Sequence, residues 1–470
     1  MSTTSLPADL AAFRDRLRTE PLCGFVPGQP VLLTRAPGRL DALGGVIDYT
    51  GGTVCEMPCA VATKVALQAR DDRRLRLVSL GVEEHGLAPV VELALDDLLS
   101  ADYAAVGAAL RSDPAKSWAA YVAGAWTVLL GEGLVQGFAS GAEVVIESEV
   151  PAGAGVSSSA AIEMATLLAV AHQAGAEVPP IRLAHLGQRV ENRVVGAPCG
   201  LMDQLTVTLG RADSLLVIRC QPDEIVANRR LPRGVTLGAI HTGVKHSVGG
   251  SHYTDARCAA FMAHKMILDH LRALGTVGAD DDPFGGYLAE VRPSEFELAY
   301  RPLLPAKMRG AEFIAAHGET VDTATRVDPE VTYRVASAAT HHVRENANTY
   351  AFLEALDAYE RTQSTQFLEL AGELMIQGHD GYRDDLDLGA PEADLLVALA
   401  MAEGPAAGVY GGRITGGGSG GSVIFLGDDR LPAPLPALAE RYAAESGCHP
   451  SILLGSSDGA AEVGVNSIAW

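Results

Sequence analysis

Arg39, Ser159 (or its neighbour Ser158), Glu191 and Asp203 stand in or beside glycine-rich segments of this 470-residue chain. Glu191 and Asp203 flank the run Gly196-Ala197-Pro198-Cys199-Gly200-Leu201-Met202-Asp203-Gln204. Its Pro-Cys-Gly turn should end one helix and return Asp203 toward Glu191. These residue types suit phosphoryl transfer. A carboxylate and a serine hydroxyl are hard oxygen ligands of the kind Mg²⁺ takes. A second carboxylate can accept the proton of an attacking hydroxyl, and an arginine can neutralise charge on the moving group. Spacing alone leaves plainer roles open: a surface ion pair for Arg39, a solvated helix position for Glu191, a helix N-cap for Asp203.

The segment that must position them runs from Val150 to Ala161, Val-Pro-Ala-Gly-Ala-Gly-Val-Ser-Ser-Ser-Ala-Ala. It follows a strand-like run, Glu143–Glu147, and opens a long apolar helix. A glycine-serine loop there leaves backbone N–H groups free at a helix N-terminus, an anion site reinforced by the helix dipole. No Gly-Lys-Ser/Thr follows, so it is not a Walker A loop, and the glycine spacing is not that of a dinucleotide fold. A glycine turn with a serine cap is the plain alternative. Two further glycine-rich segments, at 35–52 and 411–422, sit beside regular structure. Three such loops, each able to bring backbone close to a ligand, suggest one shared site.

Hydrophobic residues make up 48% of the chain, enough for a large core and two or three domains. A net charge of −22 excludes a general nucleic-acid or anionic-membrane binder, while a local basic pocket stays open. The seven cysteines are scattered without paired Cys-x-x-Cys motifs, which predicts reduced thiols and no zinc site. No secretion signal or bilayer-length apolar run is visible, so the expected location is cytoplasmic.

Residues 7–20 read as a short amphipathic helix and Val31–Thr34 as a strand. Residues 53–100 read as a β meander with Asp71–Arg74 as a hairpin turn. Trp118 to Leu130 reads as a helix with Trp118, Tyr121 and Trp126 on its core face. The helix after the serine loop carries one charge, Glu163, between Ser157 and His172, so it should be buried. A further helix after Pro180 aligns Leu183, Leu186, Val190 and Val194, with Gly196 as its stop. A second half starts near residue 230, with helices at 255–274, 341–358 and 364–377. Residues 275–335 form an insertion or long connection. His341, His342 and His379 lack a third ligand at metal spacing and read as core or helix-surface histidines.

Pro-Gly-Arg-x-Asp-x-x-Gly-Gly-x-x-Asp-Tyr-x-Gly-Gly at 37–52, the loop at 151–160, Pro-Cys-Gly-Leu-Met-Asp-Gln at 198–204 and the glycines at 411–422 together resemble the GHMP kinases, in family order. The galactokinase branch is the most similar. Within it, His241–Tyr253, Phe261–Ile267 and Leu304–Met308 through His341–Asn346 resemble the L-arabinokinases. The resemblance implies a two-domain α+β fold. A ribosomal S5-like domain would span 1–228 and a ferredoxin-like domain 229–470, with the insertion at about 275–335 and the active site in the cleft between them.

It also implies roles. Asp203 would be the catalytic carboxylate at the sugar's anomeric hydroxyl, and Arg39 would stabilise it and the transferred phosphoryl group. Glu191 and Ser159 (or Ser158) would hold Mg²⁺. The backbone of Gly153, Ala154, Gly155, Val156, Ser157, Ser158 and Ser159 would cradle the ATP phosphates. Asp48, Gly200 and Tyr253 would contact the sugar, and Gly416 to Gly420 would shape the floor. The expected partner is a small sugar, with no nucleic acid or membrane, in a monomer or homodimer.

One departure bears on which sugar. Galactokinases usually read Gly-Glu-His-x-Asp where this chain reads Gly44-Gly45-Val46-Ile47-Asp48. The family's glutamate contacts the hydroxymethyl side of the hexose; Gly45 and Val46 offer no such partner. L-Arabinose has the galactose ring pattern without that group, and a buried unpaired carboxylate would be costly. The expected reaction is therefore formation of L-arabinose 1-phosphate. The alternatives are galactokinase proper and a catalytically silent galactokinase-like sugar sensor. Intact Arg39, Ser159, Glu191 and Asp203 argue against the sensor. A nucleotide-dependent oxidoreductase lacks its fingerprint.

Overall fold

The computed structural model describes residues 6–100, 102–221, 223–244 and 251–470. Lys245 to Gly250, inside the arabinokinase-like segment, lie outside the described residues.

Two sheets organise the chain. The first contains β1 (Pro30–Leu43), β2 (Thr53–Ala69), β3 (Arg74–Leu80), β4 (Val90–Ala94), β5 (Ala142–Ser148), β6 (Ser214–Arg219) and β7 (Glu224–Arg230). The second contains β8 (Val235–His241) and three later strands. A two-residue ladder, β9 (Met308–Arg309) with β10 (Thr332–Tyr333), lies inside the expected insertion. The second sheet is completed by β11 (Val409–Ile414), β12 (Ser422–Asp428) and β13 (Ser451–Leu454), in the antiparallel order β11-β12-β8-β13. The chain changes sheet between Arg230 and Val235, yet its last strand, β14 (Asn466–Ala469), returns to pair with β1.

The long strand β2 is the hinge of the first sheet. β1 runs along one edge; on the other, residues 63–69 pair with β5 and residues 53–56 with β6. This corrects the hairpin expected at Asp71–Arg74. β5 lies between β2 and β3 and runs parallel to β3. Gly141 makes the insertion possible. Its N–H donates to the Asp72 carbonyl at 2.7 Å and its carbonyl accepts from Arg70 at 3.1 Å. A Cβ there would stand 1.8 Å from the Arg74 carbonyl oxygen, so only glycine fits between the two strand ends. A second correction concerns the first glycine segment. Residues 35–43 continue β1 as strand, and only residues 44–52 leave it, around a 3₁₀ turn at Gly45–Thr50.

The helix Ser158–Gln173 packs on β1 and β2, and ten of its side chains are buried, Glu163 included. The helix Pro180–Arg189 runs directly into a π turn, Val190–Val195, which Gly196 ends in the left-handed conformation. Beyond the second sheet lie the helices Ser251–Ala273, Val335–Thr362 and Gln366–Asp384. Gly372 and Gly411 let the last of these press onto β11: a Cβ on Gly372 would lie 1.9 Å from the Tyr410 carbonyl oxygen. His341, His342 and His379 are buried in this half, as expected for core histidines. All seven cysteines are free thiols. Among the described residues, no helix is long and apolar enough to cross a membrane.

Candidate active site

Motifs as far apart in the chain as Arg39 and Gly417 meet at one cavity of about 340 Å³. Arg39, Val46, Asp48, Gly153, Gly155, Ser157, Ser158, Ser159, Glu191, Gly200, Asp203, Tyr253, Gly416 and Gly417 all line it. The first glycine segment enters from β1 and the middle loop from the end of β5. The last glycine cluster enters from the β11–β12 connection.

Backbone geometry shows why these loops need glycine. Gly153 (φ +72°) and Gly155 (φ +71°) are left-handed, and so is Ser157 (φ +61°), immediately before its helix. A non-glycine residue held there stores strain, and such strain concentrates at functional sites. The buried Ser157 hydroxyl has no hydrogen-bond partner among the described residues. The side chains of Ala154 and Val156 are buried in the core and outside the cavity lining, which leaves only their backbone for the role expected of this loop. The loop is tied down on both sides. Arg39 donates to the Gly155 carbonyl at 2.6 Å and its N–H to Val156 at 3.1 Å, while Ser422 donates to Ala154 at 2.8 Å. A Cβ on Gly416 would meet the Gly155 carbonyl at 2.5 Å.

Asp203 occupies the first turn of the helix Met202–Leu209. Its Oδ1 accepts from Arg39 Nη2 at 2.7 Å and Nε at 2.9 Å. Arg39 is 3% exposed, and its carboxylate partners hold its charge firmly in place against burial. This pair places a fixed cation and a carboxylate on the same wall. Neither is the surface or capping residue that spacing left open.

Glu191 sits in the π turn, a local insertion frequent at functional sites. Burial pushes its carboxyl up to about 7, the Asp203 charge adds to this, and hydrogen bonds from Ser159, Cys199 and Gln204 oppose it. Ser159 is therefore the serine that meets Glu191. Gln204 Nε2 bridges Glu191 (2.7 Å) and the buried Glu163 (3.2 Å), whose other oxygen is unpartnered. Among the described residues no three metal-ligating side chains converge; Glu191 and Ser159 are hard oxygen donors of the kind Mg²⁺ takes.

Asp48 is buried, with its Oδ1 accepting the Tyr49 N–H at 2.6 Å. Burial pushes its carboxyl up to about 7, Asp203 adds to this, and Arg257 opposes it. A Cβ on Gly200 would fall 1.6 Å from Asp48 Oδ2, so this glycine makes room for the carboxylate. Tyr253 packs edge-on against Tyr49 at 5.9 Å. Gly45 is absent from the wall: its missing side chain faces Tyr382 and Asp41 behind the cleft. Tyr121, read as a core residue, lines the cleft beside Glu191, whereas Trp118 and Trp126 are buried as expected. Helical spacing shows which face a residue takes, not whether that face meets core or cavity.

Residues 120–211 match the GHMP kinases N terminal domain model. A galactokinase of Pasteurella multocida is 31% identical over 89% of this chain and 91% of its own length. The chain belongs to the galactokinase branch of the GHMP kinases. The L-arabinokinase of Arabidopsis thaliana is 35% identical over 93% of this chain, which spans 46% of that protein's length. The Lactococcus lactis galactokinase complexed with galactose superposes with a TM-score of 0.74 at 23% identity, covering 98% of this chain and all of the other. That likeness gives this GHMP kinase its two-domain mixed fold. It is a sugar kinase of the galactokinase and arabinokinase type.

Proposed function

We propose that this GHMP kinase transfers the γ-phosphoryl group of ATP to the anomeric hydroxyl of L-arabinose, giving L-arabinose 1-phosphate and ADP. The observation that carries the reading is the Arg39–Asp203 pair, facing a cavity closed by Asp48, Tyr253 and the glycine-serine loop. Asp203 accepts the proton of the anomeric hydroxyl as its oxygen forms a bond to the γ-phosphorus. The bond from that phosphorus to the β,γ-bridging oxygen breaks, and ADP leaves with the electron pair. Arg39 orients Asp203 and faces the charge that builds on the phosphoryl oxygens. Backbone N–H groups at the start of the helix Ser158–Gln173 receive the phosphates. Ser159 and Glu191 would hold Mg²⁺, which when bound supplies charge neutralisation at the phosphates.

The preference for a pentose is supported by Val46, which lines the cleft and presents no polar partner for a hydroxymethyl group, and by the likeness to the Arabidopsis protein. Galactose is the second reading, because galactokinases match at similar identity over most of both lengths. ADP formation from Mg-ATP with L-arabinose, D-galactose and D-galacturonate side by side separates them, with Asp203→Asn as the blank. An L-arabinose preference supports the proposal and a galactose preference overturns the pentose assignment. Saturable ATP binding without turnover of any sugar favours a sensor.

A further inference from the structure

Tyr382 lies in the helix Gln366–Asp384, outside the motifs that assemble the cleft, and is fully buried. Its hydroxyl joins the first and last glycine segments. It accepts the Val46 N–H at 3.1 Å and donates to the Gly416 carbonyl at 2.7 Å. Val46 and Gly416 both line the cleft. A Cβ built on Gly45 would stand 2.0 Å from this same hydroxyl oxygen and 3.2 Å from the ring carbon that carries it. The hydroxyl therefore fills the space that a side chain at position 45 would enter.

The ring cannot swing away. His341 packs edge-on against it at 5.5 Å, the Arg413 guanidinium lies 5.3 Å from its centre, and Gly418 closes on its edge. Gly45 is itself left-handed (φ +56°) and donates its N–H to Asp41 at 3.1 Å. Absence of a side chain at 45 and presence of a hydroxyl at 382 are thus two halves of one packing arrangement.

We propose that Tyr382 is a specificity-determining positioning residue, whose hydroxyl, seated against Gly45, fixes the Val46–Gly416 wall and so limits the size of sugar the cleft accepts. The proposal rests on the sugar 1-kinase reading above. Without the hydroxyl, the Val46 N–H and the Gly416 carbonyl lose their shared partner and the wall can yield to a hydroxymethyl substituent. One small group of mismatch in a pocket changes selectivity by about 10- to 200-fold.

The test compares kcat and KM for L-arabinose and D-galactose in the wild type, Tyr382→Phe and Tyr382→Met. The methionine variant keeps apolar volume without a hydroxyl if phenylalanine fails to fold. The expected result is a shift of about tenfold in the kcat/KM ratio toward galactose, carried by KM more than by kcat. Gly45→Ala should lower the melting temperature less on the Tyr382→Phe background than on the wild type. A ratio within twofold of wild type in a folded variant, with equal Gly45→Ala effects on both backgrounds, overturns the proposal. Wild-type preference for galactose would instead overturn the pentose assignment. The shift between wild type and variant would still report the wall.

Discussion

Glu56 and Asp203 meet on one guanidinium. Arg39 Nε lies 2.8 Å from Glu56 Oε2, while Nη2 lies 2.7 Å from Asp203 Oδ1. The two carboxyls live in different surroundings. Asp203 retains 20% side-chain exposure toward the cleft, and Glu56 has none. Burial drives the Glu56 carboxyl well above the usual range. Asp41 and Asp203 add to this, and Arg39 only partly offsets it. Burial therefore works against the charge on Glu56, while Asp203 is the carboxylate that the same guanidinium presents to the cleft.

That direction predicts a mild Glu56→Gln variant. Gln keeps the shape without a charge, so calorimetry should show a loss of no more than about 1 kcal/mol. Breaking a buried ion pair would instead cost about 3–5 kcal/mol. A melting-temperature drop on that scale would show that the Arg39 partner outweighs burial at Glu56.

Asp203→Asn removes the proposed proton acceptor while keeping an oxygen for Arg39. Turnover should fall by roughly 10²- to 10⁴-fold with an unchanged circular dichroism spectrum. Near-normal turnover would show that another group accepts the proton.

Gly200→Ala tests the sugar wall. The new Cβ would stand 1.6 Å from Asp48 Oδ2, so the carboxylate must move. The KM for sugar should rise about 10- to 100-fold, the loss of the one buried hydrogen bond proposed between Asp48 and the sugar, while the KM for ATP stays near its wild-type value. An equal rise in both would indicate a distorted loop rather than a displaced Asp48.

Asp48 also predicts a pH effect on stability. Its folded value of about 7 stands above the ordinary 3.8 of an unfolded aspartate. The native state therefore holds a proton that the unfolded chain has released. This contribution is fully present below the unfolded value and is lost as pH rises through 7. Its size is on the order of a few kcal/mol. Wild type minus Asp48→Asn melting temperature, measured without ligand, should fall between pH 5 and pH 8. A flat difference would show that Asp48 is ionised throughout.

Much of the site is legible in the residues themselves. Glycines at 153 and 155 and serines at 157–159 mark a left-handed loop feeding a helix, because that conformation favours glycine and helix starts favour small polar residues. Gly196 as a helix stop and the buried helix around Glu163 follow from equally local demands. Tyr121 was not legible as a cleft residue. Neither was Gly45 as a residue behind the wall, nor Glu56 and Tyr382 as the groups that hold Arg39 and Val46 from behind. No local pattern distinguishes a side chain facing core from one facing a cavity.

The glycine-serine loop, the buried helix behind it and the helix stop at Gly196 follow from neighbours a few residues away, whereas the roles expected of Arg39, Ser159, Glu191 and Asp203 came from the resemblance of whole motifs to the GHMP kinases. It took the packed fold to bring β5 between β2 and β3, Arg39 onto both Asp203 and Glu56, and Tyr382 into the space at Gly45. Those outcomes join surfaces up to 337 positions apart, and they are selected by mutual burial and close packing, which no single segment encodes.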